Sequence, residues 1–146
     1  MKMNLIIMSF FLLLSPFFAY TQQPSIKSKI EKLIRKRSPE AKVYINSASD
    51  FLEIDLSPNA PESDCQIPYM QVTFEYKYND GLAEDKFKHK VCISCKGDEN
   101  CIDFPNRGNS NLYKNNSGLC TGFISKQDAY DFIELMSLLK KQSSNR

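Results

Sequence analysis

The stretch Leu119–Lys141, LCTGFISKQDAYDFIELMSLLKK, changes its hydrophobic period midway, and that change decides the fold class. Leu119–Ile124 reads as a strand. From Lys126 onward Ala129, Phe132, Ile133, Met136 and Leu139 recur at helical spacing and form one broad apolar stripe. Ser125-Lys-Gln-Asp128 is a near-match to a capping box, with Asp in place of Glu, and it opens the helix. Lys140-Lys141 suit the negative end of the helix dipole.

The same two periods sort the rest of the chain. Gln66–Tyr78 is the clearest strand: Val72, Phe74, Tyr76 and Tyr78 alternate with Gln71, Thr73, Glu75 and Lys77, which puts the first set on the core face. Asn79-Asp80-Gly81 is a turn signal. Lys86–Cys95 alternates again, with Phe87, His89, Val91 and Ile93 on one face, and Gly97–Asn100 turns the chain into Cys101–Phe104. Upstream, Phe51–Leu56 alternates and Lys42–Asn46 is a short extended piece. Ser25–Arg37 carries Ile26, Ile30, Leu33 and Ile34 as a helical stripe, stopped by Ser38-Pro39. Pro105–Ser117, rich in Asn and Ser, reads as a long loop. Helix, antiparallel strands, helix: the class is α+β.

The first residues read as a secretory signal. Lys2 precedes the apolar run Leu5–Leu14, and Ser15-Pro16 follows it ahead of Ala19. The apolar stretch from Leu5 to Tyr20 is shorter than the ~20 residues that span a bilayer. The expected organisation is a signal peptide over 1–21, cut between Ala19 and Gln23, and one exported domain over 22–146, secreted or periplasmic. Of 146 residues, 42% are hydrophobic and 25% charged, enough apolar material for a core and against wholesale disorder. With 19 basic and 17 acidic residues, the chain lacks the strong charge of a nucleic-acid binder.

Export makes disulfides the natural state of the five cysteines, with one left over. Cys92 and Cys95 fall in a strand and point to opposite faces, so neither a zinc knuckle nor a bridge between them fits. A turn centred on Asp98 sets Cys95 opposite Cys101, the first expected bridge. The second joins two of Cys65, Cys92 and Cys120, and the spacing does not choose. That register sends Cys101 and Asp103 to the core and Ile102 and Phe104 outward. A bulge near Gly97, or a sheet covered on both faces, would reconcile the pattern.

The segment Gly122-Phe-Ile-Ser-Lys-Gln-Asp-Ala-Tyr-Asp-Phe-Ile-Glu-Leu-Met136 resembles the end of pleckstrin-homology-like domains. The resemblance runs from Phe51 to Lys141. It implies a strongly bent antiparallel sheet plugged by the C-terminal helix, here with the amphipathic helix Ser25–Arg37 alongside. It also implies a binding scaffold rather than an enzyme. Phe132 takes the place of the family's helix Trp. Pro58, Glu62 and Asp64 stand where a phosphoinositide-binding loop would be basic, so no lipid-binding residue carries over. The whole chain is also similar to small exported proteins of Gram-negative flavobacteria, which pair a signal peptide with a Cys-bearing hairpin and a closing helix.

The candidate chemistry is sparse. His89, the one histidine, sits on an apolar strand face, where a half-buried imidazole with a hydrogen-bond partner is the ordinary role. Glu84-Asp85 and Asp98-Glu99 fall in turns, and Asp128/Asp131 on a helix surface, all usual places for solvated acids. Asn115-Asn116-Ser117 fits a glycosylation sequon, which matters only in a eukaryotic source. Lys27, Lys29, Lys32, Arg35, Lys36 and Arg37 make the first helix basic, a possible footprint for an anionic membrane surface. No catalytic residue, metal or cofactor is expected, and nucleic acid is not an expected partner. The expected function is a disulfide-stabilised binding or scaffold domain for a protein or envelope component, contacting it through Arg107, Asn111 and Tyr113 of the long loop. The alternative is a small exported hydrolase or thiol enzyme using His89 and the unpaired Cys.

Overall fold

The computed structural model describes residues 25–56, 64–79, 86–97, 100–105 and 115–146. The expected signal peptide therefore lies outside the described residues. So do Arg107, Asn111, Tyr113, Glu84-Asp85 and Asp98-Glu99.

The chain opens with α1 (Ile26–Arg35), capped by Ser25, whose hydroxyl accepts from the Ser28 N–H. Its apolar stripe buries Ile30, Leu33 and Ile34. Then follow β1 (Lys42–Asn46), β2 (Phe51–Asp55), β3 (Cys65–Pro68), β4 (Val72–Tyr78), β5 (His89–Cys95), β6 (Ile102–Asp103), β7 (Asn115–Asn116) and β8 (Gly118–Phe123). The closing helix, α2 (Lys126–Ser144), is capped as expected: the Ser125 hydroxyl accepts from the Asp128 N–H at 3.1 Å. It runs three residues beyond Lys141.

The fold is α+β with antiparallel pairing, but the strands form two hydrogen-bonded sheets rather than one. Among the described residues the orders are β1-β2-β3-β6-β7 and β4-β5-β8. The chain changes sheet three times, and each change corrects the sequence reading. The first is at Pro68, where Gln66–Tyr78 proves to be two strands. Pro68 cannot donate to a ladder, the Gln71 N–H turns back to its carbonyl at 2.8 Å, and the chain re-emerges in the other sheet. The second follows Gly97, whose φ of +85° is open to glycine but strained for other residues. Here β6 does not pair back on β5. It crosses to β3, with Asp103 opposite Gln66, and this is why Ile102 and Phe104 are buried while Asp103 is not. The third is at Ser117, between β7 and β8. The expected loop 105–117 is thus a strand at 115–116, paired with β6.

The two disulfides sit on this weave. Cys92 and Cys120 lie directly opposite each other across β5 and β8 and are bridged, with Cα atoms 4.0 Å apart. Cys95 is bridged to Cys101, clamping the corner where the chain leaves one sheet for the other. Cys65 belongs to neither bridge and is buried in β3.

One core serves both sheets. Phe132 of α2 meets Phe74 and Phe123 from the three-stranded sheet, with ring centroids 6.2 and 5.3 Å apart. Ile30 and Leu33 of α1, Val43, Leu52 and Ile67 of the larger sheet, and Met136 and Leu139 join the same buried cluster. Asp128 was expected on the helix surface. It is only 7% exposed because Lys36, just past the end of α1, pairs with its carboxylate at 2.6 Å and ties the helices together.

Candidate aromatic contact surface

On β4 the residues Phe74, Tyr76 and Tyr78 share one face, the face that receives α2. The helix covers only part of it. Phe74 packs under Phe132, and Tyr76 stacks on Tyr130 in the first turns of α2 at 5.0 Å between centroids. The helix begins at Lys126, so the strand runs on past it and Tyr78 is 56% exposed. Tyr130 is 45% exposed, on the side of α2 away from its apolar stripe.

His89 opens β5 directly opposite Tyr78. Its ring lies 5.3 Å from that of Tyr78 and 6.1 Å from that of Tyr76, and its Nδ1 is 2.9 Å from the Tyr76 hydroxyl. Lys126 completes the group, its Nζ 5.6 Å from the Tyr130 centroid and 5.9 Å from that of Tyr76, within the range of a cation–π contact. Three tyrosines, the histidine and a lysine thus form one connected cluster, anchored on two strands and a helix. Such rings offer flat apolar faces with polar edges and lose little side-chain entropy on contact, which suits recognition.

The sequence-based candidates separate in space. His89 belongs to the three-stranded sheet and Cys65 to the five-stranded one, opposite Ile54. Among the described residues no three His, Cys, Asp or Glu side chains are grouped to hold a metal ion. The basic helix is largely engaged within the molecule. Arg35 pairs with Glu31 at 2.8 Å and donates to the Ala41 carbonyl, Lys36 holds Asp128, Arg37 lies over the Phe87 ring and Lys27 over that of Tyr44. Lys29 and Lys32 line a groove of about 360 Å³ between the helices, faced by Asp131 and Glu134 of α2. None of the described helices is long and apolar enough to cross a membrane.

Tyrosine is favoured at interfaces, so the sequence offers Tyr69, Tyr76, Tyr78 and Tyr113 as a recognition surface. Alternation along β4 nevertheless assigns Tyr76 and Tyr78 to the core face, and that is the face they occupy. Tyr69 is fully buried, and Tyr113 lies outside the described residues. What alternation does not say is where the covering helix stops. The available signal was Lys126 and Tyr130, four apart on α2 and off its apolar stripe, a pairing that places a ring and a cation on one exposed helix face. No family model, curated protein or solved structure matches the chain, so its own residues carry the functional reading.

Proposed function

We propose that this chain is an exported, disulfide-stabilised binding domain whose contact surface is the cluster of Tyr76, Tyr78, His89, Lys126 and Tyr130. The observation that carries the reading is the exposure of Tyr78 and Tyr130 on a rigid platform of strand and helix. Aromatic rings held in this way are over-represented where proteins meet partners. The two bridges suit an oxidising compartment, secreted or periplasmic, and fit with the signal-like N-terminus. The pleckstrin-homology-like resemblance points the same way, toward a sheet closed by a helix and used as a scaffold. Arg107, Asn111 and Tyr113 belong to this proposal as a second contact segment.

The test is an NMR titration of the labelled protein with a panel of soluble oligosaccharides, peptides and lipid headgroups. Ligand-induced shifts should map to Tyr76, Tyr78, His89 and Tyr130, and a Tyr78→Ser/Tyr130→Ser variant should weaken them at least tenfold while keeping its fold. Shifts confined to 105–117 would move the site to the loop. Shifts confined to the basic helix, lost as salt rises, would replace this reading with membrane-surface attachment.

A further inference from the structure

β4 is an edge strand: it pairs with β5 on one side, and no strand among the described residues pairs with the other. The ladder shows which backbone groups face that open side. The Asn79 N–H donates to the Lys88 carbonyl, so in this antiparallel register Thr73, Glu75 and Lys77 direct their N–H and C=O groups to β5. Phe74, Tyr76 and Tyr78 then direct theirs outward, as does Val72, whose carbonyl accepts from the Lys140 ammonium. The strand is seven residues long and contains no proline; its charged side chains are Glu75 and Lys77, and the Lys140 ammonium occupies the Val72 carbonyl, outside the 74–78 stretch.

Its side chains are self-complementary. If a second β4 lies antiparallel beside the first and centred on Tyr76, then Tyr76 faces its own copy and Phe74 faces Tyr78. Those are the residues with outward-facing backbone groups, so every outward N–H from 74 to 78 gains a carbonyl. In the same register Glu75 of each chain falls opposite Lys77 of the other, at a non-hydrogen-bonded position where cross-strand side chains come closest. Both are exposed, Glu75 at 69% and Lys77 at 55% of the side chain, and within one chain they already attract at 3.1 Å. The helices leave room. α2 packs against both Phe74 and Phe123, on the two outer strands, which centres it over β5. Two β5 strands would be three strand spacings apart, ~14 Å, more than the ~10 Å that packed helices need.

From this geometry we infer that the open edge of β4 pairs with the same edge of a second copy of this chain, forming a two-fold symmetric, continuous six-stranded sheet. The two aromatic clusters then adjoin across the axis, with the Tyr76 rings side by side. The pairing is independent of what those rings bind.

Sedimentation velocity over a concentration series to the millimolar range tests it, on the wild type, Glu75→Lys, Lys77→Glu and the double swap. The wild type should pass from monomer to dimer. Each single reversal sets like charges opposite each other at two symmetric places and should weaken the dimer about tenfold. The double swap restores opposite charges and should restore the dimer. Thermal melts confirm that each variant folds, which exposed positions allow. A wild type that stays monomeric throughout overturns the inference, even if the edge accepts a foreign peptide strand. A dimer indifferent to the reversals overturns it as well, by placing the interface elsewhere.

Discussion

Tyr69 shows how much one side chain holds together. It is fully buried, and its hydroxyl meets the Asp50 carboxylate at 2.9 Å and the Ser143 hydroxyl at 2.8 Å, joining the β1–β2 turn to the end of α2. Asp50 has φ of +57°, the left-handed region that Asp tolerates better than most residues, and its carbonyl also accepts from the Tyr69 N–H. Burial raises the Tyr69 pKa above its ordinary value of 10.0, and the Asp50 carboxylate adds to the rise, against opposing contributions from Ser143 and Arg146. The folded chain therefore keeps this proton to higher pH than the unfolded chain does. The stability it contributes is full below pH 10 and is lost as pH rises through the folded-state value. Tyr69→Phe should cost about 1–2 kcal/mol at neutral pH, from two lost hydrogen bonds, and flatten the decline in stability above pH 10. Urea unfolding at a series of pH values measures both. Nothing in the sequence marks Tyr69 for this role, because its partners lie 19 and 74 positions away.

At the scale of elements, period was readable and partnership was not. The stripes of α1 and α2, the alternation of β2 and the strand reading at Leu119–Ile124 gave those elements nearly their observed spans, whereas the alternation of Gln66–Tyr78 ran β3 and β4 together. Alternation states which face a strand buries but not which strand lies beside it. Pro68 was the visible warning within Gln66–Tyr78, and the inverted pattern of Ile102 and Phe104 was another. Both mark places where the chain changes sheet. Gly122 carries a constraint that only the structure shows: a Cβ there would stand 2.6 Å from Cβ of Phe87 and 2.9 Å from its carbonyl oxygen. Gly122→Ala must therefore push the approach to β5 away from β8, and Arg37, which lies over the Phe87 ring, with it. The expected cost is about 1–3 kcal/mol, read as a lower urea midpoint with an unchanged slope. The same displacement should reach His89, two residues on, and shift its ring resonances.

The whole molecule is a weave of two sheets through one core, and its bridges act at that scale. The Cys92–Cys120 bridge closes a separation of 28 residues across the three-stranded sheet. By chain entropy a loop of that length is worth about 3–4 kcal/mol, and Cys92→Ala/Cys120→Ala should lower stability by about that much. The five cysteines and the signal-like N-terminus made the stapling legible, but the choice among Cys65, Cys92 and Cys120 required the register of β5 on β8. The aromatic surface emerges at this scale too, since it depends on α2 beginning at Lys126 and leaving the Tyr78 end of β4 uncovered. The central proposal is that this stapled body is exported and presents this surface. The most direct test is non-reducing peptide mapping by mass spectrometry of the protein recovered after export, alkylated before and after unfolding. The account predicts a chain beginning between Ala19 and Gln23, the pairs Cys92–Cys120 and Cys95–Cys101, and Cys65 labelled only after unfolding. Cys65 found in a bridge, or thiols at Cys92 and Cys120 in the native protein, would contradict it.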